Sequence, residues 1–105
     1  MTKEQVPQMI RYMNLPFAYD HFAEGESPDP PFLVYLYPGS DNFAADGTVY
    51  YKQDQLHIEL YTDKKDPALE DRVEATINAH GLFYNKSETW IPSENLYEVL
   101  YRMEV

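Results

Sequence analysis

The side chains that could do chemistry here are three histidines and eighteen carboxylates, with no cysteine. The histidines, His21, His57 and His80, fall in a loop, a strand and the end of a helix. No two have the i, i+4 spacing that puts a pair of imidazoles on one helix face for zinc. His80 at a helix C-terminus is explained more simply by its favourable interaction with the helix dipole. The acidic stretch 20–31 lacks the alternating ligands and closing glutamate of a calcium loop. Without cysteine there is no thiolate ligand, thiol nucleophile or disulfide scaffold. The chain has no G-x-S-x-G elbow, and nothing selects a triad of His57 with a distant serine and acid. Four scattered glycines make no phosphate cradle. The carboxylates are too numerous for any two to stand out as a glycosidase pair. These residues predict no catalytic, cofactor or metal site, and the protein is expected to act by binding other proteins.

The net charge of −10 is spread along the chain, with −4 in residues 20–31. Bare nucleic acid and anionic membranes are therefore poor partners, since both need a cationic patch. The spread reads as a solubility device, or as a surface that repels or mimics DNA. No segment approaches the ~18 apolar residues of a membrane span, and the N-terminal MTKEQVPQMI does not read as a signal peptide.

The elements that must position any functional surface fit one domain over residues 1–105. Val6, Met9, Ile10 and Met13 predict a helix over 3–14, with Thr2 or Lys3 near its N-cap and Asn14-Leu15-Pro16 ending it. Residues 20–31 hold four acids and three prolines and predict an irregular loop. The run Phe32–Tyr37 predicts a strand buried on both faces or facing a partner. A long connection, 38–47, closes on the turn dipeptide Asp46-Gly47. Residues 48–62 predict one strand, with Leu56, Ile58 and Leu60 on its apolar side. Its length exceeds the usual ~5–6 residues, so it must bend, bulge or extend beyond the sheet as an arm.

Asp66-Pro67 opens a second helix over 67–80, with Leu69, Val73 and Ile77 as its stripe and Gly81 as its stop. The preceding Asp63-Lys64-Lys65-Asp66 reads as a solvated loop. Strands over 82–90 and 95–105 follow, the second with Tyr97, Val99, Tyr101, Met103 and Val105 on its core face. The order α-β-β-α-β-β predicts an α+β fold: a mainly antiparallel sheet of about four strands with two helices on one face. Two features suit protein–protein contact, where aromatic residues are enriched. One is the 38–47 connection carrying Asp41, Asn42 and Phe43, whose ring either tucks onto the core or faces a partner. The other is the tyrosine pairs Tyr35/Tyr37 and Tyr50/Tyr51.

Four pieces of the chain carry a family resemblance that covers roughly residues 10–105. They are Leu15-Pro16 with Tyr19 to Phe22; Pro31-Phe32 with Tyr35; Gly39-Ser40-Asp41-Asn42-Phe43 with Ala45-Asp46-Gly47; and Tyr61 with Lys64-Lys65-Asp66-Pro67. The helix beyond them and the Trp90 and Leu96-Tyr97 region add to it. The chain resembles small proteins from the structural modules of tailed phages and prophages of Gram-positive bacteria, and its element order is similar to that of tail terminator (tail completion) proteins. The resemblance implies a non-enzymatic, cofactor-free assembly subunit. Its partners would be copies of itself in a ring, most plausibly a hexamer, together with the tail tube and head-completion proteins. It would work in the host cytoplasm and then in the virion. The alternatives are a head-completion or other minor structural role in the same module, or an acidic DNA-mimic inhibitor.

Overall fold

The computed structural model describes residues 1–45 and 47–105; for residues 43–45 and 48–51 the description covers the backbone alone. Nine elements follow in order: α1 (Gln5–Arg11), β1 (Phe17–Tyr19), β2 (Phe32–Leu36), β3 (Phe43–Ala45), β4 (Thr48–Tyr51), β5 (Gln55–Thr62), α2 (Pro67–Ala79), β6 (Tyr84–Ile91) and β7 (Leu96–Glu104).

Local chemistry explains the helix boundaries. Thr2 Oγ1 accepts from the Gln5 amide at 3.3 Å while Gln5 Oε1 accepts from the Thr2 amide at 2.8 Å, a reciprocal closure of the first turn. Asn14 then leaves the helical region at φ +59°, a left-handed position that Asn tolerates. At α2, Asp66 Oδ1 accepts from the Leu69 amide at 3.1 Å and Pro67 takes the first helical position. Gly81, at φ +72°, follows the last turn.

A five-stranded sheet runs in the order β1-β2-β5-β7-β6, antiparallel except where β1 lies parallel to β2. Alternation gives it two faces. One carries Leu33, Leu56, Ile58, Leu60, Val99, Tyr101 and Met103, buried against Val6, Met9, Ile10 and Met13 and against Leu69, Val73 and Ile77 of α2. Both helices therefore cover the same face, and each fully buried aliphatic side chain contributes about 1.5–3 kcal/mol. On the opposite face the 20–31 loop folds back, with Phe22 edge-on to Phe32 at 5.3 Å and Phe32 stacked on Tyr61 at 5.2 Å. That is why FLVYLY is apolar throughout: Leu33 faces the helices, while Phe32 and Val34 are buried on the other side.

The α+β class and two helices agree with expectation; the strand count does not. The sheet has five strands because the three residues Phe17–Tyr19 add a parallel edge, with the Asp20 amide donating to the Tyr35 carbonyl at 2.8 Å. The expected strand 48–62 is two strands, interrupted at Lys52-Gln53-Asp54, a polar triplet with no apolar side chain to bury. The expected 38–47 connection contains β3, which pairs antiparallel with β4 as a separate two-stranded sheet. α1 is also shorter than the predicted 3–14.

Candidate interaction surfaces

Residues 37–54 prolong the β2–β5 pairing beyond the main sheet. Ser40 and Asp54 form an isolated antiparallel bridge, the Gln55 amide donates to the Gly39 carbonyl at 2.9 Å, and the Asp41 amide donates to the Gln53 carbonyl at 2.7 Å. Beyond these bonds β3 and β4 pair with each other, with a register shift between Phe43 and Ala44, and among the described residues with no strand of the main sheet. Gly47, at φ +75°, lies in the turn between them. The fifteen residues from Thr48 to Thr62 would reach about 50 Å if extended, and the longest dimension of the molecule is 49 Å. The radius of gyration, 14.9 Å, exceeds the ~13 Å of a compact domain this long. The described residues of 38–54 form an arm beyond the main sheet, one of the outcomes its strand length allowed.

Of the residues expected at an interface, Asp41 and Asn42 are exposed at the arm's base. Asp41 accepts from Gln55 Nε2 at 3.0 Å. That bond, with hydrogen bonding to Glu104, holds the Asp41 carboxyl below its ordinary range, and the same contact pushes Glu104 up. Tyr35 and Tyr37 are placed elsewhere. They are half-buried and pack against the core, and the exposed Tyr19 ring meets Tyr35 edge-on at 5.2 Å. Burial, then the neighbouring Tyr35 and Tyr19, push the Tyr37 phenol up to about 12. The side chains of Phe43, Tyr50 and Tyr51 lie outside the described residues; their backbone belongs to the arm.

A second surface is the outer edge of the sheet. β6 pairs with β7 over eight consecutive residue pairs, Tyr84↔Met103 to Ile91↔Leu96, and ends the strand order. Phe83 just before it is 82% exposed and Trp90 near its end 44%.

Behind β6 lies an ionic network. Glu70 and Glu74, one helical turn apart on α2, face the sheet, and Glu70 is 3% exposed. Lys65 and Lys86 hold Glu70 at 2.6 and 2.7 Å. Glu74 accepts from Lys86 at 2.8 Å, Tyr101 at 2.8 Å and Tyr84 at 3.1 Å. Lys65 also reaches Glu88 on β6. Burial alone would raise both α2 carboxyls, but these hydrogen bonds and charges outweigh it and hold them below their ordinary range. Lys86 is correspondingly raised: burial opposes its charge, and its bonds to Glu70 and Glu74 prevail. The loop read as merely solvated thus contributes one of the network's two cations. A sequence signal existed, since like charges at i, i+4 repel and a cation opposite them relieves that repulsion.

The sheet face opposite the helices carries a further ionisable cluster. Tyr61 Oη donates to Glu59 at 3.2 Å and lies 3.4 Å from Glu98. Burial, then the Glu98 charge, push the Glu59 carboxyl up. His57 stands opposite Arg102, and burial with that guanidinium lowers its pKa. Among the described residues no three His, Cys, Asp or Glu side chains are grouped to hold a metal ion, and no helix is long and apolar enough to cross a membrane. A groove of about 850 Å³ opens between the arm's base and the start of β6, lined by Asp41, Gln55, His57, Phe83 and Arg102 among others. It is broad and open, and it connects the two surfaces. No protein-family model matches the chain, and no curated protein matches it in sequence.

Proposed function

We propose that this chain is a non-enzymatic assembly subunit of tailed-phage particles, a tail terminator-like protein whose copies close into a ring of six. The observation that carries the reading is the arm. A two-stranded hairpin alone is marginally stable in water, and here, among the described residues, β3 and β4 pair only with each other, in a sheet separate from the main one. A small domain that extends such an element gains from laying it on a neighbour. Ring contacts are heterologous, so each subunit needs two different surfaces, and a projecting arm supplies one. The phage setting rests on the sequence resemblance over residues 10–105. A net charge of −10 suits a ring through which DNA passes without sticking; a basic lumen in the assembled ring would contradict that part.

The test is native mass and negative-stain microscopy of the full chain beside an arm-deleted variant, in which an Asn-Gly turn replaces residues 41–53. Asn-Gly is the preferred two-residue hairpin turn, and it would join Ser40 to Asp54, which already bridge. The full chain is expected to form closed rings. The variant should remain monomeric, with a melting temperature within about 5 °C of the monomeric parent. A full chain that stays monomeric at every accessible concentration overturns the reading.

A further inference from the structure

We infer that the outer edge of β6 is the surface that receives the arm of a second copy, by strand addition. This rests on the ring reading above and supplies its second contact. β6 offers eight residues, about 26 Å of strand, whose outward backbone groups have no strand partner among the described residues. Natural sheets guard such edges with short strands, prolines, bulges or lysines. The opposite edge is guarded: β1 is three residues long. β6 contains no proline, and its register with β7 is unbroken. Its one lysine, Lys86, turns inward and is held by Glu70 and Glu74. An inward charge would normally oppose strand addition by facing burial unpaired, but this one is already neutralised. Phe83 and Trp90 leave exposed aromatic surface near each end of the strand.

Charge selects the occupant. Two copies carrying −10 each repel, so contact is least costly where both surfaces are neutral. Residues 84–91 hold one lysine and one glutamate, and residues 42–51 hold a single charge, Asp46. The strands of the arm, three and four residues long, fit within the length of β6. The arm continues from β2 and β5, and β7 stands between β5 and β6 in the sheet. Within one molecule the described residues of the arm pair with no part of β6, so the strand that β6 receives comes from a second copy. Two different surfaces are joined, a head-to-tail contact that closes into a ring when the rotation permits.

Hydrogen exchange read by mass spectrometry on the full chain, dilute and assembled, tests this. Peptides covering 84–91 should slow by about tenfold or more on assembly, and the arm-deleted variant should show no such slowing at matched concentration. Assembly with β6 exchanging at its dilute rate overturns the β6 site and leaves the ring reading standing. Slowing of β6 in an assembled arm-deleted variant overturns the arm as occupant. A full chain that never assembles overturns both readings.

Discussion

Lys86→Met removes one ammonium from two carboxylates and keeps most of the apolar stem. In the parent, Lys86 lies 2.7 Å from Glu70 and 2.8 Å from Glu74, and its ammonium lies 5.9 Å from the centre of the Tyr101 ring. Breaking a fully buried pair costs 3–5 kcal/mol because a charge is stranded, whereas an exposed pair contributes about 0–1. Here the anion is buried but the lysine side chain is 36% exposed. Lys65 remains on Glu70, and Tyr84 and Tyr101 remain on Glu74. The expected loss is therefore intermediate, about 2 kcal/mol, or a fall in melting temperature of about 10 °C.

Urea unfolding at a concentration where the chain is monomeric would measure it. The reporter is Trp90, the only tryptophan, which packs on Tyr97 with ring centroids 4.7 Å apart. A double-mutant cycle with Glu70→Gln assigns the loss: coupling of about 1 kcal/mol or more is expected. The sign with pH also follows. Glu70 and Glu74 are held below their ordinary range, so their contribution is present above the unfolded value near ~4.3. It is lost as pH falls through their folded pKa values. The deficit of the variant should thus be largest near neutrality and shrink in acid. A loss under about 0.5 kcal/mol, or an equal loss with Gln at position 70, would refute the argument and make Lys86 a solvated surface charge.

Two further perturbations test other parts of the fold. Asp66→Ala removes the acceptor for the Leu69 amide and should cost about 1 kcal/mol in the same urea assay, with no change in assembly. Glu59→Gln removes a carboxyl raised by burial and by Glu98. A raised carboxyl penalises the fold once pH exceeds the unfolded value near ~4.3 and through the folded pKa. The variant should therefore be the more stable at pH 7, by up to about 1 kcal/mol, with the advantage gone below pH ~4; thermal melts across pH would show no such trend if Glu59 were well hydrated.

The legibility of this fold in its sequence follows the physics of each element. α2 was readable because its cap, first-position proline, apolar stripe and terminal glycine all agree. The core face of β7 was readable from strict alternation. β1 was not, because three residues between a proline and an acidic loop carry too few positions for any period to register. The split of 48–62 depended on Lys52-Gln53-Asp54, which breaks the apolar period without glycine or proline to mark it. Tyr35 and Tyr37 were ambiguous because tyrosine suits a packed strand as well as an interface; Phe17, Tyr35 and Tyr37 pack against the core while staying partly exposed. The importance of β6 was invisible, since its edge position arises from strand order rather than from its own residues.

That order also gives the ionic network a role beyond stability. β6 is held by one strand instead of two, and most of its residues are exposed, so it cannot be fixed by apolar burial as β5 is. Lys86 to Glu70 and Glu74, Tyr84 to Glu74, and Glu88 to Lys65 anchor it to α2 and the loop before it. An edge that must accept a foreign strand has to be rigid before the strand arrives, because ordering it on contact would subtract from affinity. An ionic network fixes a strand's position without adding the apolar surface that would make its outer edge aggregate. On this argument Lys86→Met weakens assembly as well as stability, and the assembly defect should persist at temperatures where the variant monomer is fully folded.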